Sequence, residues 1–188
     1  MNKKFELLLD DTITIFGIKL FRIKALISFG NVEEGELGGY IEKEANLSFS
    51  GNAWVYGDAR VYSDAEVYGN ARVYGNAWVY GDARVYSDAE VYGNAEVSGN
   101  AEIYGNAEVS GNAEIYSDAD YIVFKNHWSS GRYFTYTKSN KMWRVGCFYG
   151  TGQELINKAY QDREVSGKHY EAYVEFVEKL EKLEETND

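Results

Sequence analysis

Between residues 51 and 116 the apolar positions fall on a six-residue beat. Val55, Val61, Val67 and their successors recur at every sixth place as far as Val109 and Ile115, each with an Ala two residues before it. Residues two apart on a strand share a face, so Ala and Val point to one side, and the residues between and after them, Trp54 and Tyr56 in the first unit, point to the other. The Val/Ile slot is β-branched, which suits a strand. A Gly or Ser followed by Asn or Asp separates one strand from the next, the chemistry of a corner. Eleven hexads run without interruption. A short fixed period predicts a stacked solenoid with a narrow core of Ala and Val ladders.

The flanks lack the hexad. Residues 1–44 hold two strand-like stretches, Phe5 to Leu9 and Ile18 to Ala25, around Thr12 to Gly17, which predicts a hairpin. The Gly-rich run at 35–42 then leads into the first coil. This segment is expected to cap the solenoid, because an open coil edge exposes unpaired backbone groups. After Ser117 the repeat fails. Tyr121–Trp128, Arg132–Lys138 and Met142–Tyr149 read as three strands of a meander, joined at 129–131 and 139–141. Thr151 and Glu154 form a capping-box pattern that predicts a helix bearing Leu155, Ile156, Ala159 and Tyr160 on one face. A second helix is expected from Lys168 to Lys182, with Tyr170, Val174, Val177 and Leu180 at helical spacing, and the final residues, 184–188, are expected to fray. The expected domains are therefore a β-rich cap (1–44), the repeat (45–120) and an α+β module (121–188).

The hexad resembles that of the hexapeptide-repeat, left-handed parallel β-helix family. The resemblance implies three flat sides with one hexad on each, hence three hexads per coil and somewhat under four coils, with 45–50 and 117–122 as degenerate rungs. At a strand spacing of about 4.8 Å the stack is roughly 20 Å tall. With that period the residues at 54, 72, 90 and 108 share a side and read Trp, Arg, Glu, Glu; the other sides read Arg, Trp, Glu, Glu and Glu, Arg, Glu. The block GNAWVYGDARVYSDAEVY at 51 recurs unchanged at 75, a shift of four hexads where a coil needs three, so each exposed residue type is scattered over different sides. That argues against a finely specified flat face of the ice-binding kind.

Composition narrows the classes. A net charge of −11 opposes nonspecific binding of nucleic acid by the whole surface. One Cys excludes an internal disulfide and fits a reducing cytoplasm, and the first residues lack the pattern of a signal peptide or membrane span. The well-known acyltransferases of the family use a His at a subunit interface and bind acyl-CoA along the coils, as the resemblance has it, whereas residues 51–116 contain neither His nor Lys and no projecting loop. The two histidines, His127 and His169, fall in the C-terminal segment, too few for a three-His zinc site. No catalytic, cofactor or metal residues are assigned, and the balance goes against catalysis.

Two surfaces are candidates for binding. Trp54, Tyr56, Tyr74, Trp78, Tyr80 and Tyr92 form an outward ladder, either a sticky interaction face or plain strand residues shielding the coils. Lys125, His127, Trp128, Arg132, Tyr136, Lys141 and Arg144 mix cations with aromatics on the C-terminal hairpins, a pattern that suits phosphates and bases. From Tyr121 to Gln153 there is no acid, while Ser87 to Tyr116 carries six acids and no Lys or Arg. The basic piece docking on an acidic stretch of the same chain is the competing reading.

Residues 121–188 also resemble a C-terminal module of phage and prophage hexapeptide-repeat proteins. The likeness rests on Ser130 and Arg132 and on GCFYGTGQEL at 146–155; FGIKLFRIKAL and GELGGYIE resemble the front end of the same group. Some relatives carry Thr-His-Gly before the last helix, where this chain has Val165, Ser166 and Gly167. Gly146 and Gly150 read as turn or close-packing positions and Cys147 as a small buried residue. The expected function is non-catalytic binding or assembly in the cytoplasm (the host's if phage-encoded), which the resemblance narrows to a phage or prophage accessory factor binding a macromolecular partner such as a host-defence component, with a protein partner, an optional homo-oligomer and no membrane. The alternatives are an acyl-CoA-dependent acyltransferase and a nucleotide or nucleic-acid binder working through the basic hairpin.

Overall fold

The computed structural model describes residues 3–185, so the fraying expected of 186–188 lies outside the described residues. The chain divides into two units, 1–121 and 122–188.

The first unit is a parallel β-solenoid of about four turns behind a β-rich N-terminus. Strands β1 (Phe5–Ile15), β2 (Ile18–Ala25) and β3 (Leu37–Ile41) precede eleven two-residue strands, from β4 (Trp54–Val55) to β14 (Glu114–Ile115), one per hexad. Each pairs in parallel with the strand three hexads away, Val55 with Val73 and Val73 with Val91. The slots between Ala and Val stack in the columns expected, Trp54 on Arg72, Glu90 and Glu108, and Arg60 on Trp78, Glu96 and Glu114. Every Ala and Val/Ile of the repeat is buried, from Ala53 to Ile115. A narrow prism can be filled only by pairing a tiny residue with a branched one at each rung.

Each corner divides its work between two slots. Positive φ falls on the first slot, on Gly57 (60°), Gly69 (72°), Ser63 (58°) and Ser87 (61°), and not on the Asn or Asp that follows. The second slot serves another purpose: Asn70 Nδ2 donates to Asp88 3.0 Å away, Asn76 to Asn94 and Asn94 to Asn112 at 3.2 Å, so amides form a ladder up the corners. An amide both donates and accepts, which allows one residue type to bond its own copy in the next coil.

Backbone polarity dictates both ends. The N–H groups of each coil donate to carbonyls of the next, Trp54 to Ala71 and Arg72 to Ala89, leaving carbonyls at the front edge and N–H groups at the back. The front therefore needs donors. Strand β3 supplies Tyr40 N–H to Ala59 O and Glu42 N–H to Val61 O, extending one side of the prism into a seven-stranded sheet with β1 and β2. Side chains supply the rest: Lys4 Nζ donates to Ala53 O at 2.9 Å, Arg22 to Gly57 O at 3.3 Å, and buried Asn46 to Ser63 O and Ala65 O. Leu47 pairs with Val67 in the aliphatic slot, so 45–50 is a rung in part, entered through a 3₁₀ turn at Glu44–Asn46. At the back edge a second 3₁₀ turn, Asp118–Asp120, replaces the expected rung, and Asp118 Oδ1 accepts from Glu102 N–H at 2.7 Å.

In the hairpin, β1 runs on to Ile15, beyond the expected Leu9, and the turn is Phe16–Gly17, both at positive φ. The register jumps between Leu8 and Thr12, so Leu9, Asp10 and Asp11 bulge. The bulge brings Asp11 to 2.9 Å from Arg22 Nε, while the Arg22 guanidinium lies over the Tyr40 ring at 4.2 Å. A bulge that re-aims one side chain is a common use of the device.

The second unit packs an antiparallel meander, β15 (Tyr121–Lys125), β16 (Tyr133–Thr137), β17 (Met142–Val145) and β18 (Phe148–Gly150), against helices α1 (Gly152–Asp162) and α2 (Glu164–Glu185). The third expected strand is two strands, folded back at Gly146 (φ 58°) and Cys147 with Val145 opposite Phe148. Thr151 and Glu154 form the expected capping box. Helix α2 begins at Glu164 and not at Lys168, because Arg163 alone, in extended conformation, makes the joint between the helices. An added Cβ on Gly167 would stand 2.4 Å from the Tyr160 ring, so only glycine lets the helices approach this closely. Phe134, Tyr136, Trp143, Val145, Leu155 and Val174 form the core between sheet and helices.

Candidate functional site

The solenoid's outward residues are largely spent on one another. Tyr74 donates to Glu90 Oε2 at 2.8 Å, Tyr80 to Glu96, Tyr86 to Glu102 at 2.9 Å and Tyr92 to Glu108 at 3.4 Å, a bond from each Tyr to the free-slot Glu of the next coil. Arg72 pairs with Glu90 and Arg84 with Glu102 at 3.1 Å. The Tyr rings stack between coils, Tyr62 on Tyr80 at 5.0 Å and Tyr74 on Tyr92 at 4.6 Å. The expected outward ladder is thus an internal lattice for much of its length. Tyr56, Tyr74, Trp78, Tyr80 and Tyr92 are half-buried. Trp54 is fully buried between Phe5 and Phe29, a correction to its placement on an exposed face: the N-terminal strands seat upon it.

This lattice fixes a pH response. Burial, with neighbouring Tyr80 and Glu96, pushes the Tyr62 hydroxyl up to about 12, and the bond to Glu102 pushes Tyr86 to about 12. Tyr56, Tyr68, Tyr74 and Tyr80 are raised as well, burial being the first cause in each. In the unfolded chain these phenols ionise near 10. The stability they add is therefore intact below about pH 10 and is lost as pH rises through about 12. Lys4 has the opposite sign: burial lowers its ammonium to about 8 from 10.5, so its contribution grows as pH rises between those values. The expected result is a denaturation midpoint that rises slightly from about pH 8 to 10, as Lys4 dictates, and falls steeply towards pH 12, with tyrosine absorbance at high pH appearing together with unfolding. A gradual phenolate titration near pH 10 with the solenoid still folded would contradict the lattice.

The seven C-terminal candidates do not form one surface. Tyr136 faces the helical core, 4% exposed, with its hydroxyl donating to Glu181 at 2.6 Å, so it is no surface residue. Lys125 lies over the Tyr133 ring at 4.8 Å, and Arg144 opposes Tyr149 on the sheet face away from Trp143. Lys141 sits in the β16–β17 turn, at the opposite end of the sheet from His127, Trp128 and Arg132 in the β15–β16 turn. Trp128 is 76% exposed. An antiparallel meander puts alternate turns at opposite ends, which separates residues that the sequence runs together.

What the fold gathers instead is a cleft of about 430 Å³ within the second unit, walled by Val145, Phe148, Leu155 and Tyr170 and edged by Ser129, Ser130, Arg132, Cys147, Lys158, Asp162, Arg163 and Ser166. Buried Asn126 builds its rim. Asn126 Oδ1 accepts from Trp128 and Ser129 N–H groups at 3.1 Å, Nδ2 donates to Ser129 Oγ at 2.6 Å, and the Asn126 carbonyl accepts from Gly131 at 2.7 Å. Arg132 N–H donates to Ser130 Oγ at 3.3 Å, and the Arg132 side chain runs beside Gly146 of the β17–β18 turn. Arg163 is the helix joint and Ser166 lies in the first turn of α2, where N–H groups face outward. Lys158 is held by Asp162 at 2.6 Å. Among the described residues neither the Arg132 nor the Arg163 guanidinium has a carboxylate partner.

Cys147 is exposed at this rim, contrary to its reading as a buried residue, because the two-residue turn leaves its side chain outside the sheet. Of the candidates read from sequence only Arg132 belongs to the cleft; Lys158, Arg163 and Ser166 are additions of the fold. Ser130, Arg132, Cys147 and Phe148, all within the motifs singled out in the C-terminal sequence, meet here, and so does Ser166. A second cleft of about 400 Å³ on the solenoid, lined by Lys43, Asp64, Glu66, Asp82 and Arg84, offers less, since Lys43 bonds Asp64 at 2.7 Å and Arg84 bonds Glu102. Among the described residues no cluster of three or more His, Cys, Asp or Glu is placed to hold a metal ion. No described helix is long and apolar enough to cross a membrane.

The comparison with known families agrees with this architecture. A family described as the YdcK beta-solenoid repeat matches residues 65–81, just short of one coil, so the chain is similar to that family in its repeat. Comparison with curated proteins gives no match.

Proposed function

We propose that this chain is a non-catalytic binding protein in which the solenoid is a rigid support and the C-terminal module holds the ligand. The observation that carries this reading is the contrast in polar satisfaction. Solenoid Tyr, Glu and Arg side chains bond one another, whereas the cleft collects unpaired guanidinium groups and hydroxyls around an apolar floor. Concave sites with an apolar lining and a few convergent polar groups are where small ligands bind, at volumes of about 300–1,000 Å³. The finer reading, a phage or prophage accessory factor acting on a macromolecule of its host, draws its support from the resemblance of residues 121–188. An acyltransferase finds less support: the hexads run unbroken from 51 to 116, with no projecting loop and no His among them.

Native mass spectrometry of the full chain, purified gently from an expressing cytoplasm, tests the proposal. The expected spectrum shows a bound species that Ser166→Phe, which fills the cleft from its rim, removes. Turnover of acetyl-CoA that is unaffected by Ser166→Phe would overturn the proposal in favour of catalysis on the coils.

A further inference from the structure

We infer that the cleft between the β15–β16 turn and the α1–α2 joint binds the phosphate group of a small, nucleotide-sized phosphate ester. The inference rests on the binding reading above and specifies its ligand. The edge of the cleft is rich in donors. Ser129 and Ser130 use their lone pairs to accept from Asn126 and from Arg132 N–H, which leaves each O–H free to donate into the cleft. Arg132 and Arg163 bring two guanidinium groups that no carboxylate occupies among the described residues, in a chain with 30 acids against 19 Lys and Arg. The one acid at the edge, Asp162, already holds Lys158. A group of donors with little competing acceptor is matched to an anion.

Geometry separates phosphate from carboxylate. The donors arrive from three directions: Ser129, Ser130 and Arg132 from one turn, Arg163 from the helix joint, and Ser166 from the first turn of α2. A carboxylate has two oxygens in one plane, whereas a phosphate monoester has three terminal oxygens disposed around phosphorus and about −1.5 to −2 charge at neutral pH. The outward N–H groups of the α2 first turn favour the same charge. A volume of about 430 Å³ exceeds the needs of a bare phosphate, and the Val145, Phe148, Leu155 and Tyr170 walls offer the remainder of the ligand an apolar surface with two rings. With a net charge of −11 the rest of the chain repels anions, so capture depends on these local cations.

Calorimetric titration of the full chain with AMP, inorganic phosphate and adenosine tests this. AMP is expected to bind with a Kd of about 100 μM or tighter, phosphate more weakly, and adenosine not at all below about 10 mM. Arg132→Gln and Arg163→Gln should each weaken AMP by about tenfold or more at unchanged melting temperature, since both side chains are exposed, while Lys24→Gln on β2 leaves it unaltered. Absence of AMP and phosphate binding at about 10 mM, or AMP binding that survives the double Arg variant, would overturn the phosphate assignment. An uncharged species retained on the native protein and released by Ser166→Phe would remove the phosphate while leaving the binding reading intact. A cleft that retains nothing removes both.

Discussion

Asn46→Ala is expected to lower the unfolding free energy of the solenoid unit by about 3 kcal/mol. Asn46 is 0% exposed and makes three hydrogen bonds, donating to Ser63 O at 3.0 Å and Ala65 O at 2.8 Å and accepting from Lys43 N–H at 2.9 Å. The two carbonyls belong to the first coil and point towards the chain's N-terminal end, where no earlier coil can donate to them. Each buried group left without a partner costs about 1–3 kcal/mol, and water entering at the rim offsets part of the sum. Asn46→Asp keeps the acceptor and the shape but turns a carboxylate towards two carbonyls, so it should be no less damaging. Urea denaturation of both variants gives the answer; a loss below about 1 kcal/mol for Asn46→Ala would mean that the front edge is satisfied by other means.

Gly51→Ala should cost about 3 kcal/mol and Gly57→Ala only about 1 kcal/mol, although both glycines occupy the first slot of a hexad at similar φ, 72° and 60°. The difference is what a Cβ would meet. At Gly51 it would lie 2.3 Å from Gly69 O, the acceptor of both the Asn52 and the Ala53 N–H groups, so relief requires breaking two inter-coil bonds. At Gly57 the nearest atom is 3.6 Å away, and only the left-handed backbone penalty remains. Ser63 and Ser87 show that a Cβ in this slot is tolerated where the corner is open. Equal thermal shifts for the two variants would show that the slot is governed by φ alone.

Much of the fold is legible because a solenoid writes its contacts at fixed separation. Once three hexads are taken as a coil, the partners of Trp54, Arg72 and Glu90 follow by addition, and the registers agree. The Tyr-to-Glu bonds are open to the same arithmetic: Tyr in the last slot and Glu in the free slot one coil on are neighbours as soon as the period is known. The amide ladder at the corners is harder to read, because propensity admits Asn to a turn without telling whether its amide bonds the next coil. The extension of β1 to Ile15 is hidden by the bulge, which breaks alternation at Leu9–Asp11 and imitates a loop.

Less of the candidate site can be read. Arg132 stands out as a cation among aromatics, but its neighbours in space, Cys147, Arg163 and Ser166, come from later turns of the chain. Nothing local marks Arg163 as a hinge: neither Pro nor Gly separates the helices, and the acid at Glu164 is the one sign that α2 starts there. Starting that helix at Lys168 leaves Ser166 in a loop and away from the cleft. Tyr136 and Cys147 each lie on the opposite side of the surface from the one expected: Tyr136 shares the helix-facing side of β16 with Phe134, and the fold-back at Gly146 puts Cys147 in an exposed turn.

Hydrogen–deuterium exchange of the full chain, with and without the small-molecule fraction of the cytoplasm in which it is expressed, tests most directly whether binding belongs to the C-terminal module. Slower exchange confined to 129–132, 146–148 and 163–166 is the predicted result. Protection on the Tyr columns of the solenoid with these three segments unchanged would contradict it.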